Sequence, residues 1–210
     1  MKVIGTVGLP GSGKGEAAAV ARESGVPVVT MGDVIRQACR DRGLDPAEHH
    51  GEMARTLREE GGPAAIAERS LPLIEAELED SDVVLVDGLR SDVELDRFRE
   101  AFGDDFLLVS VEAPFETRAE RLLERDRDES DVDREALRAR EERELGFGMG
   151  EVMDDADVVV DNTDTLDAFR ERVRAILAGD LASLADDEFV QVASDTANQS
   201  SPAVDAGDSR

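Results

Sequence analysis

Residues 8–16 read GLPGSGKGE and place Gly8, Gly13 and Lys14 at the spacing G-x-x-x-x-G-K. The chemistry open to such a stretch is the holding of polyphosphate. Glycines let successive backbone N–H groups turn inward, the start of the following helix adds partial positive charge, and the lysine reaches the outer phosphate oxygens. A glycine-rich structural turn is the alternative, but the context favours a phosphate loop: apolar KVIGTV precedes it and EAAAVARES, a good helix former, follows. The chain has only two lysines, Lys2 and Lys14, and one of them stands where the loop needs it. Gly8, Leu9, Pro10, Gly11, Ser12, Gly13, Lys14, Gly15 and Glu16 are therefore candidate nucleotide contacts. The Ser or Thr that usually follows the lysine and holds magnesium is absent, because Gly15 and Glu16 come next. A carboxylate near a helix start is favoured by the dipole, which gives Glu16 a structural role; a metal-linked role is its alternative.

Further groups could act beside this loop. Asp33 and Arg36 lie in TMGDVIRQA, Asp87 and Arg90 in DVVLVDGLRS, and Arg55 in GEMARTLREE. Arg121 and Arg125 in ERLLERD are four apart, on one face of a helix. Arginines so placed would neutralise a transferring phosphoryl group. Arg118, Arg127, Arg140 and Arg143 have carboxylates nearby and read equally as ion-paired groups. The two transfer chemistries differ in their needs. An ionised phosphate oxygen needs clamps and no base, whereas a hydroxyl needs a carboxylate to take its proton. Asp33 suits either role. Adjacent His49 and His50 point in different directions, lack a third ligand and are expected at the surface.

Five short β-branched runs recur at wide intervals: KVIGTVG, VPVVT, DVVLVDG, FLLVSVE and ADVVVDN. Separated by helical patterns, they predict buried parallel strands in βαβ units. About residues 32–80 read as a helical insertion overhanging the carboxyl edge of the sheet, where ligands bind in such folds. About residues 115–151 read as a charged helical lid with a glycine joint, GFGMG, at its end. One domain spans residues 1–178, and residues 179–210 are expected to be an acidic, disordered tail.

Bulk composition narrows the function classes. The 210 residues suffice for one α/β domain, and 50 Asp+Glu against 24 Lys+Arg give a net charge of -26. No basic stripe offers a nucleic-acid surface, and no apolar run is long enough to span a membrane. The single cysteine, Cys39, excludes an intrachain disulfide, and a cytoplasmic location is expected. The acidic, lysine-poor surface resembles that of proteins from salt-loaded archaeal cytoplasm.

GLPGSGKG, with Pro10 and Gly15, resembles the adenylate-kinase loop G-x-P-G-x-G-K-G-T, in which magnesium is held largely through water and phosphate oxygens; Glu16 replaces the final Thr. TMGDVIR resembles that family's S-T-G-D-x-L-R, VDGLR its L-D-G-F-P-R, and ERLLERD its E-R-x-x-G-R-R. ADVVVDNTDTLDAF resembles the last strand and helix of dephospho-CoA kinases. The combination looks like an archaeal family of predicted nucleotide kinases related to dephospho-CoA kinase. The resemblance implies a P-loop nucleoside triphosphate hydrolase (kinase) fold with a five-stranded parallel sheet of order 2-3-1-4-5. It implies ATP and Mg2+ as cofactors and a small nucleotide-like acceptor, of nucleoside monophosphate or dephospho-CoA type. Lys14, Asp33, Arg121 and Arg125 would be catalytic, and Arg36, Arg55 and Arg90 would hold the acceptor. Asp87 would face the metal through water, and Asn162 with Thr163 would lie beside the adenine. A competing class is an ATP-binding regulator or slow ATPase without an acceptor.

Overall fold

The computed structural model describes residues 1–125, 134–146 and 148–193, with Arg125 described by its backbone alone. The five apolar runs form strands β1 (Lys2–Val7), β2 (Val28–Thr30), β3 (Val83–Asp87), β4 (Phe106–Glu112) and β5 (Val158–Asp161). They run parallel in the predicted order, β2-β3-β1-β4-β5. Side chains alternate between two cores, as the pleat requires. Val3, Val7, Val84, Val86, Phe106 and Leu108 pack on one face, and Ile4, Leu85, Leu107, Val109 and Val111 on the other.

Helices cover both faces. The second core is closed by α1 (Lys14–Glu23) and, after β5, by a helix we number α9 (Leu166–Leu177). The first is closed by α2 (Met31–Asp41), α3 (Pro46–Gly61), α4 (Ala65–Leu78) and α5 (Asp92–Phe102), together with α8 (Met149–Asp154). The predicted insertion is thus α2, α3 and α4, packed on one another. Local signals set the helix starts: Asp45 caps α3 ahead of Pro46, Ser91 caps α5, and Thr165 caps α9. The charged segment supplies α6 (Phe115–Arg125) and α7 (Arg134–Gly146). Residues 126–133 between them, and Phe147 of the predicted joint, lie outside the described residues.

One expectation needs correction. A sixth strand, β6 (Val190–Val192), runs antiparallel along β5, with Val160 opposite Val190 and Val158 opposite Val192. The fold therefore continues past residue 178, and the predicted tail from 194 to 210 lies outside the described residues. Three residues of strand are too few to show as a pattern. What holds them comes from elsewhere in the chain. Arg172 of α9 donates to Asp187 at 2.7 Å and to Asp164 at 3.1 Å, and its guanidinium lies 4.6 Å from the centre of the Phe189 ring. Leu181, Leu184 and Val190 are buried beneath this segment. Each such side chain is worth about 1.5–3 kcal/mol. Ending the chain at residue 178 should accordingly lower the melting temperature markedly in calorimetry at molar KCl. An unchanged melting temperature would contradict the role given to β6.

Candidate active site

The phosphate loop joins the end of β1 to α1, and its glycines answer to close contacts. Gly13 has φ 123°, and a Cβ there would stand 2.3 Å from the Nδ2 of Asn162. Gly11 has φ 80°, and its Cβ would stand 2.7 Å from the carbonyl of Arg118. Both positions exclude side chains by conformation and by space. No side chain caps the start of α1, so the first amides of that helix face the loop without a side-chain acceptor. The Ser12 hydroxyl, buried in the loop, has no hydrogen-bond partner among the described residues. Lys14 Nζ folds back to donate to the Gly8 carbonyl and, at 3.4 Å, to that of Leu9. Burial pushes its ammonium below the ordinary lysine range, against the opposing pull of Asp87 and Glu144.

Asp87 ends β3 beside Thr6 of β1, whose hydroxyl donates to it at 3.0 Å. From Lys14 and Asp87 a cleft of about 250 Å³ opens toward α2, α3 and α7. Arg36 and Arg90 line it, which brings four of the sequence-predicted residues to one place. Arg55 does not reach it. Its side chain is exposed on α3, and Arg58 lines the cleft in its stead, one turn further on. Arg58 is held at 2.9 Å by the buried carboxylate of Glu94, which also accepts from the Arg90 amide at 3.0 Å. Asp33 also stays outside the cleft lining; its side chain is 63% exposed and pairs with Arg36 at 2.7 Å. His50, expected at the surface, lines the cleft, and so do Arg140 and Glu144 of the lid helix. Glu144 pairs with Arg140 at 3.1 Å and faces Arg90 at 3.6 Å.

The remaining candidates brace the loop from behind. Asn162, after β5, is buried and gives its amide to the Ser12 carbonyl at 2.7 Å, while its own carbonyl accepts from Arg121 at 2.8 Å. Arg121 thereby lies against the loop and the β5 end. Arg125 ends α6, and its side chain is outside the described residues. Arg118, ambiguous in the sequence, is 4% exposed and donates to Pro10 at 3.1 Å, to Ala113 at 2.8 Å and to Glu141 of α7. Glu16 is turned to α9, where Arg170 holds it at 2.5 Å. That ion pair explains a carboxylate beside a polyphosphate site: its charge is already matched. The sequence offered no signal for Arg58, His50 or Arg118 beyond residue type, because their importance comes from contacts between distant segments.

Comparison with known proteins fits this geometry. A family model described as an AAA domain matches residues 7–138, the span from the loop into α7. The chain is 63% identical over 180 residues to a UPF0200 protein of Halobacterium salinarum, covering 86% of this chain and 94% of that one. The chain belongs to the UPF0200 family. A UPF0200 protein of Methanoculleus marisnigri is 46% identical over 178 residues, covering 84% of this chain and 96% of its own. Among solved structures, the UPF0200 fold is similar to TT1252 from Thermus thermophilus, with TM-score 0.59, 23% identity and coverage of 84% and 96%. It is similar to a gluconokinase from Sinorhizobium meliloti 1021, with TM-score 0.52, 26% identity and coverage of 88% and 94%. A shikimate kinase from Bacteroides thetaiotaomicron gives TM-score 0.54 at 16% identity, covering 84% and 98%. The UPF0200 chain thus has a P-loop kinase-like fold. Among the described residues, no helix is long and apolar enough to cross a membrane.

Proposed function

We propose that the protein is a phosphotransferase that moves the γ-phosphoryl group of ATP to a small anionic, nucleotide-like acceptor. The observation that carries this reading is the cleft itself. It joins Lys14 and Asp87, at the carboxyl ends of the central strands, to Arg36 and Arg58 on the helical insertion, Arg90 in the loop after β3 and Arg140 on α7. The loop fits a nucleotide's phosphates. It has uncapped amides at the start of α1, a Ser12 hydroxyl without a partner among the described residues, and two glycines packed so closely on Arg118 and Asn162 that no Cβ fits. Asp87 fits a magnesium ion held through water, since it is a single carboxylate and no group of three ligands occurs among the described residues. When bound, magnesium supplies charge neutralisation at the phosphate oxygens.

The chain's own residues divide the work. Lys14 and the α1 amides hold the donor. Arg36, Arg58 and Arg90 attract and orient an anionic acceptor. Arg140, carried on α7 and paired with Glu144, adds positive charge to the cleft wall. A second reading, a nucleotide-binding regulator without an acceptor, is favoured by Asp33, which as a base for a hydroxyl acceptor lies outside the cleft.

An acceptor panel separates the two. The full chain in molar KCl is given ATP and magnesium with each nucleoside monophosphate, with dephospho-CoA, and with small hydroxy acids such as gluconate and shikimate. ADP release should rise at least about tenfold with one acceptor, the kind of gain that positioning a reactant provides. Nucleotide binding without acceptor-dependent turnover across the panel would establish the regulator instead.

A further inference from the structure

His50 stands in the cleft wall without a part in the reading above. The arrangement around it is specific. Its imidazole lines the cleft together with Gly32 at the start of α2. The guanidinium of Arg36 folds over the same glycine, with Nη1 only 3.2 Å from where a Cβ of residue 32 would stand. Arg90, from the loop after β3, lines the same cleft. Three basic groups from α3, α2 and the β3–α5 loop therefore converge on one wall of the cleft. The carboxylates nearby are each partly matched. Glu94 is held by Arg58 and Asp87 by Thr6, Glu144 is shared between Arg140 and Arg90, and Asp33, outside the cleft, pairs with Arg36, so a bound anion competes with Glu144 and Asp33 for these two arginines. Lys14 lies at the loop end, folded onto its own carbonyls.

We infer that His50 is the third cation of an anion subsite formed with Arg36 and Arg90, and that it takes up a proton when the acceptor's non-reacting phosphate or carboxylate binds there. The inference rests on the kinase reading for the purpose of the cleft. Its physical basis is competition between neighbours. In the free protein, burial and then the two guanidinium groups hold His50 below the ordinary histidine value, which favours the neutral imidazole. A bound dianion cancels that repulsion and favours the imidazolium, which then adds a charge-assisted hydrogen bond. By linkage, affinity for the anion rises as pH falls through the bound-state midpoint of His50 and levels off below its free-state midpoint. An acceptor with a doubly charged group is selected over one with a single charge.

The chain contains only two histidines, so an imidazole 1H–15N spectrum resolves them without further labelling schemes. His49 is an internal control, since it contacts the Asp45 carbonyl at 3.1 Å and does not line the cleft. Sulfate serves as the probe because it remains a dianion throughout the range, and KCl is adjusted to hold ionic strength constant. On saturation with sulfate, the His50 midpoint should rise by about half a unit or more while that of His49 stays in place. The rise should persist in Lys14→Ala, which lacks the loop lysine, and should shrink in Arg90→Gln. A His50 midpoint that sulfate does not move, or a response that disappears with Lys14→Ala, overturns the inference. No arm uses ATP turnover, so an inactive kinase would sink the phosphotransferase reading and leave this result standing.

Discussion

Lys14→Ala should lose ATP turnover by on the order of 10²- to 10³-fold, the effect of removing one charged donor from a preorganised phosphate site. The same variant should melt at the wild-type temperature or above it. The two results follow from one fact, the enclosure of the ammonium by the loop. Burial holds the folded-state value of Lys14 below its unfolded value. The unfolded chain therefore binds the proton more tightly than the folded one, and wild-type stability rises as pH climbs between the folded and unfolded values. At neutral pH the ammonium is consequently a burden on the free fold, carried for the sake of a ligand. Calorimetry and ADP release on the same preparation separate the two contributions. Full turnover by the variant would refute the loop assignment, and a large loss of stability would show that Lys14 holds the loop together.

Arg118→Ala should show the opposite balance, with stability lost first. Arg118 and Glu141 are both buried, and the guanidinium ties the Pro10 and Ala113 carbonyls to the lid helix. Truncating it strands Glu141 as an unmatched buried charge and leaves Pro10 without its donor. Breaking such a pair from one side costs about 3–5 kcal/mol, whereas replacing both members by apolar groups costs far less. The denaturation midpoint of Arg118→Ala should therefore fall steeply, and Arg118→Met with Glu141→Met should regain most of it. A double variant as unstable as the single one would mean that packing, not charge, sets the loss. ATP affinity should drop along with stability in the single variant, because the guanidinium of Arg118 holds the Pro10 carbonyl of the phosphate loop.

Arg118 and Asp33 illustrate what was legible in the residues. G-x-x-x-x-G-K between an apolar run and a helix former identified the loop, since that motif is local and its geometry follows from neighbouring dihedrals. Asp33, which the residues alone left open between two roles, forms an exposed ion pair with Arg36 at 2.7 Å, a local outcome of helical spacing. Arg118 was legible as an ion-paired group, and it does pair with Glu141, but which groups it ties together was not. Its partners Pro10 and Glu141 lie 108 and 23 residues away.

The sequence by itself determined five parallel strands and the phosphate loop, because β-branched runs and glycine spacing are properties of short segments, while their order came from the resemblance to P-loop kinases. Only the tertiary structure decided that Arg58 and not Arg55 faces the cleft, that His50 joins Arg36 and Arg90 there, and that Glu16 is matched by Arg170. It alone showed β6, whose three residues are held by Arg172 and Phe189. The physical reason is common to all four. Which way a helix face turns, and which charges meet, follow from packing between segments distant along the chain, and side-chain type records that packing only weakly.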